Sequence, residues 1–263
     1  MRIALVSLDQ VWLDRTANLA RCGEFVRAAA ENGSSVVIFP EMTLTGYSLD
    51  MDIVAEQAAD SASLHGMAAI AREAGVSVIF GASLIATGAA EPMNSVCLAR
   101  PDGTVESLYA KIHPFSFVGE DKALRAGAQL GAATLGAMIL GCSVCYDLRF
   151  PEPYSLMARS CNAIVNIANW PNRRIGHWRA LLVARAIENQ YFVFGVNRIG
   201  VDGNDLVYTK SSMVVAPDGE VLAPVMAGAE LDIYDIDLDQ VAKYRTAFPT
   251  VADKRYALYK DFY

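Results

Sequence analysis

Hydrophobic and polar positions along this chain follow two alternating periods. The apolar run near the start, Ile3-Ala4-Leu5-Val6, reads as a buried first strand. Arg15 to Asn32 then places Leu19, Cys22, Val26 and Ala29 at three- and four-residue spacing and stops at Gly33, which predicts a helix. Ser35 to Phe39 is a β-branched strand running into Pro40-Glu41. A second helix is expected from about Ser61 to Glu73, ended by Gly75, followed by the strand Val76 to Phe80. Ser95–Ala99 and Thr104–Ile112 flank Pro101-Asp102-Gly103, a hairpin turn.

The second half repeats this order. A strand ends at Cys145, a helix is expected over Pro151–Ser160, and Ala163–Ala168 is a strand. A helix over His177–Asn189 leads to the strand Phe192–Val196, and a second hairpin turns on Pro217-Asp218-Gly219. Ser95–Val105 and Ser212–Val221 echo one another around their Pro-Asp-Gly turns, which hints at two pseudo-equivalent halves of an α/β fold. A last helix is expected over Leu238–Ala247. No linker divides the chain, so residues 1–263 read as one domain, with residues 249–263 forming an aromatic tail that includes Tyr256, Tyr259, Phe262 and Tyr263. Aromatic residues at that density call for a partner surface, which points to an oligomer interface.

Composition narrows the class. The chain has 263 residues, 53% of them hydrophobic, enough for a large core. The net charge of −7 gives no electrostatic reason to seek nucleic acid or anionic lipid. The 21 residues from Ala126 to Tyr146 carry no charge, a length that could span a bilayer. Gly127, Gly131, Gly136 and Gly141 recur through them, each costing a helix about 1 kcal/mol, so a turn with buried strands is the better reading. Five cysteines without small-domain spacing argue for reduced thiols and a cytoplasmic setting. Cys142 and Cys145 form a lone CxxC without the second pair or His cluster that a zinc or redox site wants.

Three residues could carry chemistry. Cys145 stands where a hydrophobic strand meets a polar turn before a proline-started helix, a place where a nucleophile can be held beside backbone N–H groups. Taken alone it reads somewhat better as a core cysteine. Glu41 follows a strand at the end where α/β folds place their sites, and Lys111 closes the strand before Ile112. Each alone also reads as a surface residue.

Together they resemble a family. Phe39-Pro40-Glu41-Met42-Thr43-Leu44-Thr45-Gly46-Tyr47, Tyr109-Ala110-Lys111-Ile112-His113 and Val144-Cys145-Tyr146-Asp147-Leu148-Arg149-Phe150-Pro151-Glu152 are similar, in order, to the glutamate, lysine and cysteine motifs of the nitrilase superfamily. Asn169-Trp170-Pro171 and Ala184-Arg185-Ala186-Ile187-Glu188-Asn189 extend the likeness over nearly the whole chain. The resemblance implies a four-layer α-β-β-α sandwich, a Glu41–Lys111–Cys145 triad, and homodimers or larger assemblies in which the tail crosses the interface. It also implies a second glutamate between the lysine and cysteine motifs, which Glu120 matches, with Asp121 adjacent.

The implied chemistry needs no metal and no cofactor. Cys145 attacks an amide carbonyl and Glu41 takes the thiol proton. Lys111 and the Tyr146 backbone N–H receive the oxyanion, and Glu120 positions Lys111. Tyr47, Phe115, Arg149, Asn169, Trp170, Arg173 and His177 are the expected substrate contacts, with Arg149 or Arg173 suited to a carboxylate. Arg149 reads equally as a structural ion-pair residue. The cysteine motif resembles the amidase branches, and Ile187-Glu188-Asn189-Gln190 with Arg255-Tyr256-Ala257-Leu258-Tyr259 resembles ω-amidases. An ω-amide of a small carboxylic or keto acid is therefore the expected substrate. Hydrolysis of N-carbamoyl amines is the alternative, ahead of nitrile hydrolysis and of a papain-like Cys–His peptidase using His113 or His177.

Overall fold

In the computed structural model, which describes residues 1–262, the two periods resolve into two sheets packed face to face. The larger runs in the order Met226–Ala227, Leu231–Asp235, Arg2–Val6, Val36–Ile38, Ser77–Ile85, Met93–Ala99, Val105–Ala110, with Ala55–Gln57 beside Ser77–Ile85. The smaller runs Met213–Val215, Phe192–Asn197, Ala163–Ala168, Met138–Val144, Ala132–Leu135. Each sheet is built on three consecutive parallel strands joined through helices and flanked by antiparallel ones, the larger adding the short parallel strand Ala55–Gln57, so the two halves share one grammar.

Strand alternation decides the layers. Ile3, Leu5, Val36 and Ile38 face Leu140, Val144, Val165 and Phe194 across the centre of the sandwich. Ala4, Val6, Val37 and Phe39 point the other way, onto Cys22, Val26, Met67 and Ala71 of helices Arg15–Glu31 and Ala62–Ala74. On the opposite outer face Ile164, Val193 and Val215 meet Tyr154, Trp178 and Leu182 of helices Pro151–Met157 and Ile175–Asn189. The result is the expected four-layer α-β-β-α sandwich. Local chemistry fixes the helix ends: Asp14 and Ser61 accept from Ala17 and Leu64 N–H at 2.9 and 3.1 Å, and Gly75 closes the second helix at φ +68°.

Predicted and observed elements differ mainly in length. The helix expected to Ser160 ends at Met157, and the strand expected to end at Phe80 continues to Ile85. The uncharged stretch forms the strands Ala132–Leu135 and Met138–Val144 around Gly136. No helix among the described residues is long and apolar enough to cross a membrane. Leu231–Asp235, for which the pattern predicts no strand, lies antiparallel to Arg2–Val6. In the tail, Tyr256 donates its hydroxyl to the Ser155 carbonyl at 2.8 Å, Tyr259 is exposed, and Tyr263 lies outside the described residues.

Candidate active site

The parallel strands of both sheets deliver their following residues to one end of the sandwich, the general position of ligand sites in such folds. Glu41 arrives after Val36–Ile38, Cys145 after Met138–Val144, and Asn169 after Ala163–Ala168. Lys111 follows Val105–Ala110 and pairs its N–H with the Asn94 carbonyl at 2.8 Å.

Backbone geometry holds the two turns open. Met42 and Cys145 have φ of +44° and +45°, a left-handed region that costs non-glycine residues strain. The glutamate turn is pinned by Gln10, whose side-chain amide donates to the carbonyls of Glu41, Met42 and Thr43 at 2.9–3.1 Å. It also presses on Gly81, where a Cβ would come within 2.4 Å of the Met42 nitrogen, so only glycine fits. The cysteine turn hangs on Asp147, fully buried. Its Oδ2 accepts from Val144 N–H (3.0 Å) and Tyr109 O–H (2.7 Å), its Oδ1 from His113 N–H (3.0 Å), and His113 Nδ1 lies 2.8 Å from Oδ1. Tyr109 and His113 flank Lys111, so one carboxylate ties the nucleophile's turn to the lysine's. We expect Asp147→Asn to cost about 2–4 kcal/mol, because the new NH₂ cannot accept the bonds it replaces and leaves buried donors unpaired. Thermal unfolding together with the rate of Cys145 alkylation checks this, and unchanged values in both would remove the tie.

Between the turns lies a buried charge cluster. Lys111 Nζ is 3.2 Å from Glu41 Oε1 and 3.0 and 2.8 Å from the two oxygens of Glu120, with all three side chains at most 2% exposed. Asp121, the neighbour of Glu120, is exposed. Asn94, absent from the sequence reading, donates its amide nitrogen to Glu41 Oε1 at 2.7 Å and Glu120 Oε1 at 3.1 Å. Asn169 N–H donates to Glu41 Oε2 at 2.9 Å, and Phe115 N–H to Glu120 Oε2 at 2.6 Å.

These contacts set the protonation states. Burial pulls the Lys111 ammonium down, but Glu41 and Glu120 outweigh it and hold its pKa well above the ordinary lysine range. Burial pushes the Glu120 carboxyl up, yet Lys111 and the N–H donors leave it below its usual value. The Cys145 thiol is driven well up by burial and by Glu41, against the pull of Lys111. A thiol so placed is hard to ionise unaided, so a nucleophilic role would call for a neighbouring base.

Cys145 Sγ faces the Asn169 carbonyl at 3.9 Å and opens onto a cavity of about 60 Å³. Glu41, Lys111, Tyr47, Phe115, Tyr146, Arg149, Asn169, Trp170 and Arg173 of the predicted set line it. Arg174, Val118, Leu206 and Tyr208, which were not foreseen, line it too. Glu120 sits behind Lys111. His177 does not line the cavity; its Nδ1 lies 3.4 Å from Arg149 Nη1. Arg149 lies over the Trp170 ring at 4.7 Å, and Arg174 over Phe115 at 5.4 Å. Among the described residues, no carboxylate is within ion-pair distance of Arg149, Arg173 or Arg174. Neither His113, bonded to Asp147, nor His177 bonds Cys145, so the papain-like dyad is not formed.

A thiol, two carboxylates and an ammonium at the strand ends of a four-layer sandwich define a hydrolase of carbon–nitrogen bonds. The chain belongs to the carbon–nitrogen hydrolase family, which matches residues 2–246. It is 36% identical over 256 residues to the omega-amidase YafV of Escherichia coli strain K12, covering 96% of each chain. It is 30% identical to the 2-oxoglutaramate amidase of Bacillus subtilis, covering 98% of each. Among solved structures, it is similar to a variant of the amidase from Nesterenkonia sp. AN1 that shows Michael addition of acrylamide at the active-site cysteine. That likeness has a TM-score of 0.84 at 26% identity and covers 100% of both chains.

Proposed function

We propose that this enzyme hydrolyses the terminal amide of a small carboxylic or 2-oxo acid, releasing ammonia through a thioester on Cys145. The observation that carries the acid requirement is the set of Arg149, Arg173 and Arg174 at the cavity, without a carboxylate partner among the described residues. Guanidinium groups pair carboxylates bidentately, and three of them beside one thiol favour an anionic acyl group. The omega-amidase and 2-oxoglutaramate amidase relatives support the same substrate class.

Glu41 takes the Cys145 proton as sulfur bonds to the amide carbon. The oxyanion is received by the Lys111 ammonium and the Tyr146 N–H. Glu41 returns the proton to the departing nitrogen, so ammonia leaves and the acyl group stays on sulfur. Water, deprotonated by Glu41, then attacks the thioester, and the expelled thiolate regains a proton. Glu120 holds Lys111 between the two carboxylates. The Glu41–Lys111–Cys145 triad is thus the working unit, and no step calls for a metal or organic cofactor. The unpaired thiols fit a cytoplasmic enzyme, and the aromatic tail packed on helix Pro151–Met157 is the proposed contact of a homodimer.

A panel of ω-amides, N-carbamoyl compounds and nitriles tests this. Ammonia without carbon dioxide is expected from ω-amides bearing a free carboxylate. Arg173→Ala and Arg174→Ala should each raise KM about tenfold or more for them, while neutral aliphatic amides change little. Carbon dioxide from a carbamoyl substrate, at a higher kcat/KM than any ω-amide, would replace this reading with its alternative.

A further inference from the structure

The charge cluster contains one neutral member. Asn94 heads the strand Met93–Ala99, is 1% exposed, does not line the cavity, and lies far in sequence from both carboxylates it meets. Its side-chain nitrogen and Lys111 Nζ lie between the same two atoms, Glu41 Oε1 and Glu120 Oε1. Only the NH₂ end of the amide can face them, since two carboxylate oxygens accept and do not donate. The cost of that orientation is visible, because Asn94 Oδ1 is buried without a partner among the described residues.

This arrangement assigns tasks to the two oxygens of Glu41. A carboxylate oxygen accepts about two hydrogen bonds. Oε1 has both, from Asn94 and Lys111, whereas Oε2 has one, from Asn169 N–H. Asn169 is also the residue whose carbonyl faces Cys145 Sγ. We propose that Asn94 is a positioning residue, a neutral double donor that occupies Glu41 Oε1 and so leaves Oε2 to take the thiol proton. It performs a second task at the same place. Two buried carboxylates beside one ammonium carry a net charge of about −1, and like charges so close tend to share a proton. A donor without charge, bonded to both, lies between Glu41 and Glu120 and adds no further charge to the cluster. The other titratable groups around this cluster are Cys145 and Tyr47, both above their ordinary ranges through burial and the neighbouring carboxylates. This role rests on the amidase reading, in which Glu41 is the base.

The test is the pH dependence of kcat and KM for an ω-amide in Asn94→Asp and Asn94→Ala, beside Glu41→Gln. In Asn94→Asp the shape is kept, but the side chain donates only when protonated. Its kcat should fall about 100-fold near neutrality and recover about tenfold or more on acidification from about pH 8 to about pH 5.5. Asn94→Ala removes one of the bonds that hold Glu120 below its usual range and frees Glu41 Oε1, so the acid limb of kcat moves up by about one pH unit or more. KM should change less than about threefold in either variant, because Asn94 does not reach the cavity. A wild-type profile, or a loss equal at every pH with the acid limb unmoved in Asn94→Ala, overturns the clamp. Should Asn94→Asp not fold, the acid limb of Asn94→Ala decides alone. Glu41→Gln separates the two levels: if it turns over normally the base reading itself fails, and if it is inactive while the Asn94 variants keep the wild-type pH profile only the clamp fails.

Discussion

Cys145→Ala is expected to lower ammonia release by roughly 10⁴-fold or more, with a fold as stable as wild type to within about 1 kcal/mol. The large effect follows from the chemistry: without sulfur there is no acyl acceptor, and the remaining donors can stabilise only an attack by water. The small structural effect follows from the geometry. Sγ is only partly buried at the rim of the core, and its one hydrogen-bond partner among the described residues is the Asn169 carbonyl at 3.9 Å, a weak contact. Removing it is expected to be neutral or mildly favourable for stability, since the thiol sits beside the Glu41 and Glu120 carboxylates. Intact mass during turnover supplies the second reading. Wild type should carry a substrate-acyl adduct on quenching, and Cys145→Ala none. An alanine variant with wild-type ammonia release would end the thioester mechanism.

How much of this was legible in the sequence depends on the range of the interaction. Helix and strand positions came through because period and capping act within a few residues, as with Ser61 and Gly75 around Ala62–Ala74. Leu231–Asp235 did not, because a strand at that position is defined by its pairing with Arg2–Val6 at the other end of the chain. The same divide runs through the site. Glu41, Lys111 and Cys145 stand in recognisable local motifs. Asn94 does not: an asparagine at the head of a buried strand has no local mark, and its role comes from groups 53 and 26 residues away. The one available signal was a polar residue at the start of the apolar run Val96-Cys97-Leu98-Ala99. Asp147 lay inside the cysteine motif, yet its partners Tyr109 and His113 flank the lysine, a link only the packed turns reveal. His177 stands seven residues after Trp170 in sequence, yet the helix Ile175–Asn189 leaves its ring on Arg149 outside the cavity.

Lys111→Met is expected to damage stability as well as activity, and the two losses can be separated by pH. The substitution keeps the length of the apolar stem but leaves Glu41 and Glu120 buried without their cation. Breaking a buried ion pair from one side costs about 3–5 kcal/mol. In wild type the linkage runs two ways. The raised Lys111 pKa gives stability that is complete at neutral pH and is lost only as pH rises through that folded value. The depressed Glu120 pKa gives stability present above the unfolded carboxylate range and lost as pH falls. Without the ammonium, Glu120 loses the partner that lowers it while burial still raises it, so the sign reverses. The deficit of Lys111→Met should be greatest at neutral pH and shrink on acidification, by about 1.4 kcal/mol per pH unit for each proton taken up. Adding Glu120→Gln removes one of the stranded charges and should recover part of the stability at pH 7 without restoring turnover, because the oxyanion still lacks its cation. Chemical denaturation from about pH 5 to about pH 8 measures the first effect, and ammonia release under the same conditions the second. A Lys111→Met enzyme whose stability deficit is the same at both ends of that range would show that the carboxylates are not the source of the cost.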